Sequence, residues 1–422
     1  MNTSANQSAY NLAQERYAAL GVDTEAAMQT LQNISISLQC WQGDDVGGFE
    51  KPEAALSGGG ILATGNYPGK ARTVAELRMD AEKAFALIPG RHRFNLHAMY
   101  GEFGGKKVER DQIRPEHFKG WMEWAKQQNL KLDFNATCFS HPKADSGFTL
   151  SHRDKSIREF WIAHVQRCRE ISAVMGRELG GACLHNLWIP DGYKDIPADR
   201  WRPRFRLREA LDKIFNVSYP SSAMKDAVES KLFGIGSEAY VVGSHEFYLG
   251  YALTRGKIIC LDMGHFHPTE SVADKLSAIL QFSPELLLHL SRGVRWDSDH
   301  VVTLNDEVRA VTAEIVHSGM IDRIHIALDF FDASIHRVGA WVIGTRAVIK
   351  ALLLALVEPI DKLAEYEHAG DYSSRLALLE EIKTLPFGAV WDQYCERMNV
   401  PVGMAWLSEM KSYEEKVTSK RM

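Results

Sequence analysis

The chain has 422 residues, of which 45% are hydrophobic, 24% charged and 10% aromatic, and its 49 Lys plus Arg against 54 Asp plus Glu give a formal net charge of −5. Those proportions exclude intrinsic disorder, a collagen-like repeat and a disulfide-stapled miniprotein. They also lack the basic excess with which nucleic-acid binders displace counterions, so a small neutral ligand is the expected partner.

Residues 1–33 read as helical, with apolar positions at Leu12, Ala18, Leu20, Ala26 and Leu31. Met1 to Tyr10 is polar and shows no basic segment followed by an apolar one, so no signal peptide is expected. From residue 34 onward, short β-rich runs recur: Ile34–Leu38, Arg93–Ala98, Lys131–Ala136, Gly181–Leu187, Asp226–Lys231, Lys257–Asp262, Leu286–Leu290 and Arg323–Asp329. Between them, Thr73–Ile88, Pro115–Gln128, Asp154–Glu178, Ser237–Arg255 and Val308–Ser318 carry apolar residues every three or four positions. Eight strands alternating with helices and no linker predict an α/β fold, a closed (β/α)8 TIM barrel over 34–339. Residues 340–422 read as a helical extension (Ala340–Glu367, then Tyr372–Lys383) that needs a partner surface, either the barrel's own helices or a second subunit. The longest aliphatic run, Ala351–Val357, is too short to span a bilayer and reads as buried core. The six cysteines form no C-x-x-C pair, as expected of reduced thiols in a cytoplasmic protein.

The predicted strand ends carry the chemistry. Glu229 and Lys231 end strand five, Asp262 ends strand six with His265 three residues later, and His289 closes the aliphatic run of strand seven. Asp297 and Asp299 follow it, and Asp329 ends strand eight. Barrel enzymes build their active sites on this face. Each residue has an ordinary structural role when taken singly: core histidine, helix cap, turn or ion pair. Together they form a carboxylate-rich cluster too costly to bury without cations. Carboxylates with one or two imidazoles suit Mn²⁺, Mg²⁺ or Co²⁺. The first half of the barrel offers Trp41, His97, Phe139 and Trp188 after its strands, the apolar faces and polar groups with which a site holds a sugar. Gly234-x-Gly236-x-x-Ala239 mimics a dinucleotide fingerprint that follows a strand and opens a helix, but its charged surroundings do not suit a pyrophosphate. Neither H-E-x-x-H nor G-x-S-x-G occurs. A metal-dependent hydrolase on the same barrel is the alternative reading.

Four motifs then carry a resemblance. Trp41-Gln-Gly-Asp-Asp, Gly264-His-Phe-His-Pro-Thr-Glu270, Arg295-Trp-Asp-Ser-Asp-His300 and Ala327-Leu-Asp-Phe-Phe-Asp332 resemble the L-rhamnose isomerases along essentially the whole chain. The xylose isomerases share only the Glu-x-Lys strand and the general ligand set. The resemblance implies a homotetrameric aldose–ketose isomerase with two divalent metals, usually manganese at the catalytic position. Glu229, Asp262, His289 and Asp329 would hold one metal; His265, Asp297 and Asp299 would hold the other. Lys231 would lie at the substrate's O1 end. The expected route is a hydride shift from C2 to C1, because metal coordination leaves no carboxylate basic enough for an enediol route.

Overall fold

The computed structural model describes residues 3–41, 48–50, 65, 67–234, 236–294 and 299–421. Eight parallel strands form a closed barrel: β1 (Ile36–Gln39), β2 (Arg93–His97), β3 (Lys131–Asn135), β4 (Cys183–Leu187), β5 (Met224–Glu229), β6 (Ile258–Asp262), β7 (Leu286–Leu290) and β8 (Ile324–Leu328). Neighbours in sequence are neighbours in space, and the barrel shuts where Ile36 and Ser37 of β1 pair with Ile326 and Ala327 of β8. Strands buried on both faces read as aliphatic runs, which is why Leu-Leu-Leu-His-Leu of β7 stands out in the sequence.

One helix follows each strand: α3 (Val74–Phe85), α4 (Lys119–Gln127), α5 (Lys155–Leu179), α6 (Trp201–Ile214), α7 (His245–Arg255), α8 (Ala273–Leu280), α9 (Asp306–His317) and α10 (Arg337–Leu356). Before the barrel come α1 (Thr3–Ala18) and α2 (Thr24–Gln32). After it come α11 (Ile360–His368), α12 (Tyr372–Glu381), α13 (Phe387–Arg397) and α14 (Ala405–Lys416). α1 packs on α13 and α2 on α10, so the two ends of the chain meet on the barrel's flank. The Glu25–Arg397 ion pair joins them.

Several sequence expectations shift. Residue 339 lies inside α10, the eighth helix of the barrel layer, so a boundary there cuts an element. The predicted helix 340–367 is two helices, because Pro359 has no N–H to continue the first. β5 ends at Glu229, leaving Lys231 in the loop. The helix expected from Ser237 begins only at His245; before it, Tyr240–Val241 pairs antiparallel with Gly192–Tyr193, and Gly236 turns the chain at φ 86°. The fingerprint-like glycines therefore do not open a helix. α10 is long and apolar enough to cross a membrane, but 83% of its apolar window is buried against the protein.

Inside the barrel, Leu184, Ala227, Ile258, Cys260, Leu287 and Ala327 form their own apolar cluster. Beside it, Arg93 and Asp133 form an ion pair (2.6 Å), and Ser37 donates to Asp133 (2.7 Å). The apolar cluster is a dry floor, and the polar ends of β5 to β8 lie above it.

Candidate metal centre and active site

Glu229, Asp262, His289 and Asp329 converge, with one potential ligand atom from each lying within 4.8 Å of the others. Strand register accounts for this: Asp262 pairs directly with His289 on the adjacent strand, and Asp329 N–H donates to Leu290 O (3.0 Å). His289 Nδ1 lies 3.1 Å from Asp329 Oδ2, 3.3 Å from Glu229 Oε1 and 3.7 Å from Asp262 Oδ2. Gly264 N–H (2.6 Å) and Ser291 Oγ (3.1 Å) donate to Asp262 Oδ1, and Asn186 Nδ2 donates to Glu229 Oε2.

The other side of each carboxylate is unsatisfied. Glu229 Oε1, Asp262 Oδ2, Asp329 Oδ1 and His289 Nε2 are buried with no hydrogen-bond partner among the described residues. Burial disfavours a charged imidazole at His289, yet the surrounding negative groups hold it protonated well above the ordinary histidine range. Burial pushes the Asp329 carboxyl up to about 6; the His289 contact opposes the rise, and Asp262 and Glu229 reinforce it. Asp262 is held below its ordinary value against burial, by His265 and His289. A cluster that must retain protons to balance its charge, with oxygen atoms left unpaired, fits a divalent cation held by three carboxylates and one imidazole. Cys260 belongs to the same neighbourhood: with Glu229 and His289 it forms a second close group, so a thiol lies beside the site. Burial pushes that thiol far up, which keeps it neutral and a poor ligand.

His265 is buried, with Nδ1 3.3 Å from Glu229 Oε1. Asp299 takes a left-handed backbone (φ 41°), and its carbonyl accepts from Phe331 N–H (2.8 Å). A Cβ at Gly264 would come 2.9 Å from Asp299 Oδ1 and 3.2 Å from Asp262 Oδ1, so the two carboxylates flank that glycine closely. Asp297 lies outside the described residues. Among the described residues, the ligand atoms gather only around the first centre.

The four sequence-predicted ring residues form one continuous wall. Trp188 packs edge-to-face on Phe139 (5.8 Å), Phe139 on His97 (5.5 Å) and His97 on Trp41 (4.9 Å); Trp41 stacks on Phe331 (5.6 Å). Burial, with Arg110 nearby, lowers the pKa of His97 to about 3, so the ring is neutral, with Nδ1 3.1 Å from Thr137 Oγ1. Lys231 Nζ sits 4.5 Å from the Trp188 ring centroid. A hydroxylated ligand between wall and cluster would meet apolar faces on one side and charge on the other.

The sequence profile of the L-rhamnose isomerase (RhaA) family matches residues 4–421. An L-rhamnose isomerase from Rhodopirellula baltica is 57% identical over 422 residues, spanning 100% of this chain and 98% of its own. One from Salmonella paratyphi B is 57% identical over 419 residues, spanning 99% and 100%. The chain belongs to the L-rhamnose isomerase family.

It is thus an enzyme of the aldose–ketose isomerase class built on a TIM barrel. Solved structures similar to it include an L-ribulose 3-epimerase (TM-score 0.48, 10% identity, covering 78% of this chain and 96% of that one). Another is a putative xylose isomerase from Rhodospirillum rubrum (TM-score 0.44, 9% identity, 75% and 98%). Similarities this distant say nothing about activity.

Three further residues support this arrangement, two of them beyond the reach of a reading of strand ends. Asn186 sits at the end of β4 in Leu-His-Asn-Leu, where the rule that singled out Glu229 and Asp262 would have found it. Phe331 has no sequence signal beyond lying two residues after Asp329. Arg110 is buried and lies between β2 and β3 in the sequence; it donates to the carbonyls of Thr137 (2.7 Å), Phe139 and Ser140 (3.2 Å) and pairs with Glu50 (3.0 Å), fixing the loop that carries Phe139.

Proposed function

We propose that this protein interconverts L-rhamnose and L-rhamnulose with two divalent cations, manganese being the favoured metal. One would be held by Glu229, Asp262, His289 and Asp329, and the other by His265, Asp297 and Asp299. The observation that carries the reading is the set of buried carboxylate oxygens and imidazole nitrogen left without hydrogen-bond partners at the ends of β5 to β8, in a chain 57% identical over its length to L-rhamnose isomerases. When bound, such cations supply Lewis acidity to sugar oxygens and lower the pKa of water.

This chain's own residues do the rest. Trp41, His97, Phe139 and Trp188 bind the apolar edge of the sugar and keep bulk water from the reacting carbons. Lys231 places a positive charge where negative charge grows on O1. Neutral His97 orients a hydroxyl rather than moving a proton near neutral pH, since its pKa lies near 3. With the site's carboxylates committed to cations, hydrogen transfer between C2 and C1 as hydride is favoured over removal by a base. The helices after residue 356, among which α12 has no buried residue on this chain, support a homotetramer, and we assign the enzyme to the cytoplasm.

The test is ketose formation from L-rhamnose carrying deuterium at C2. The expected result is L-rhamnulose with the label retained at C1. Release of the label to solvent would establish the enediol route, and no ketose at all would refute the substrate.

A further inference from the structure

The loop that mimics a dinucleotide fingerprint serves a different purpose. Lys231 is only 6% exposed, and its ammonium lies over the Trp188 indole. A Cβ at Gly234 would fall 2.3 Å from Lys231 Nζ and 2.4 Å from Cε. The ammonium therefore occupies a space bounded by the Trp188 indole face and by the bare α-carbon of Gly234. Turn geometry does not demand glycine at 234, for its φ is not positive; the left-handed turn falls at Gly236. Ser237 N–H donates to Gly234 O (2.8 Å) and Lys231 N–H to Gly243 O (3.2 Å), which fixes the backbone around that space. The atoms that an added methyl would strike are the far end of a flexible side chain. Its steric cost falls on the position of the ammonium and spares the scaffold.

We propose that Gly234 is a positioning residue for the isomerisation: the side chain it lacks keeps the Lys231 ammonium on the Trp188 face, aimed at the O1 end of the sugar. This rests on the reading of Lys231 as the group that meets O1.

The test compares Gly234→Ala, Lys231→Met and the double variant, all metal-loaded, with a crystal structure of Gly234→Ala. Gly234→Ala should lower kcat about tenfold or more while KM changes little. Its melting temperature should match the parent's, and its crystal structure should show Nζ displaced from Trp188. Added to Lys231→Met it should cost nothing further, because the two changes act through one group. Parental turnover by Gly234→Ala, a loss that multiplies with that of Lys231→Met, or failure of Gly234→Ala to fold would each overturn the proposal. Parental turnover by Lys231→Met would overturn the Lys231 role beneath it, an outcome read separately from whether Nζ has moved.

Discussion

Asp329→Asn should make the metal-free protein more stable while removing its function. Burial and the carboxylates of Asp262 and Glu229 delay ionisation of Asp329 from 3.8 to about 6, even with His289 opposing them. As pH rises from 3.8 to 6, the unfolded chain releases this proton and the folded one keeps it, so stability falls through that window and levels off above it. The full deficit is about 3 kcal/mol. In a chain of 422 residues, with an unfolding entropy near 2 cal/mol/K per residue, that corresponds to roughly 3 °C in melting temperature. Asparagine cannot ionise, so in EDTA at pH 8 the variant should melt about 3 °C above the parent, with roughly half that advantage at pH 5. Adding Mn²⁺ should reverse the order, because ligand-linked stabilisation goes to the protein that binds it. Melting curves that coincide with the parent's at both pH values in EDTA would refute the picture of a carboxylate crowded by its neighbours.

Asp299→Asn should reduce turnover about 100-fold or more while leaving the melting temperature in EDTA unchanged; activity within a few-fold of the parent would remove Asp299 from the catalytic centre. Dialysis against EDTA should abolish isomerisation, with Mn²⁺ restoring it and Ca²⁺ doing so poorly because of its larger, looser coordination shell; full activity after chelation would end the metal reading. Burial lowers His92 to about 4 and His164 to about 3, and each ring both accepts from a backbone N–H and contacts a carbonyl, His92 with Ile36 and Pro89, His164 with Thr137 and Arg110. Because these folded-state values are depressed, the stability they contribute is complete above pH 6.5 and is lost as pH falls toward 4, by about 1.4 kcal/mol per pH unit for each ring. Urea unfolding across that range should show the decline, and His92→Gln should reduce its slope by about 1.4 kcal/mol per pH unit.

The barrel was legible because fully buried parallel strands announce themselves as aliphatic runs, and the cluster of Glu229, Asp262, His289 and Asp329 because each run ends in a residue that core packing does not want. His289 after three leucines is the clearest case. The wall of Trp41, His97, Phe139 and Trp188 followed from the same rule applied to the other half of the barrel. What could not be read was whatever depends on loop paths. Lys231 was placed on a strand by its spacing from Glu229, but the ladder stops at Glu229 and the chain turns away. The delayed start of α7 follows from a two-residue ribbon with Gly192–Tyr193, a pairing between distant segments that no local periodicity reports. Arg110 holds Phe139 through backbone carbonyls, which have no side-chain signature at all.

The seam between β1 and β8 joins Ile36 to Ile326, far apart in the chain. A ribosome must therefore deliver residue 326 before the cylinder can shut, and α10 before its outer layer is complete. Until then β1 offers an open edge for mispairing and α10 has no groove to enter. Nascent chains stalled before α10 should be the species that chaperones hold, whereas release of the last four helices adds to a cylinder that has already formed.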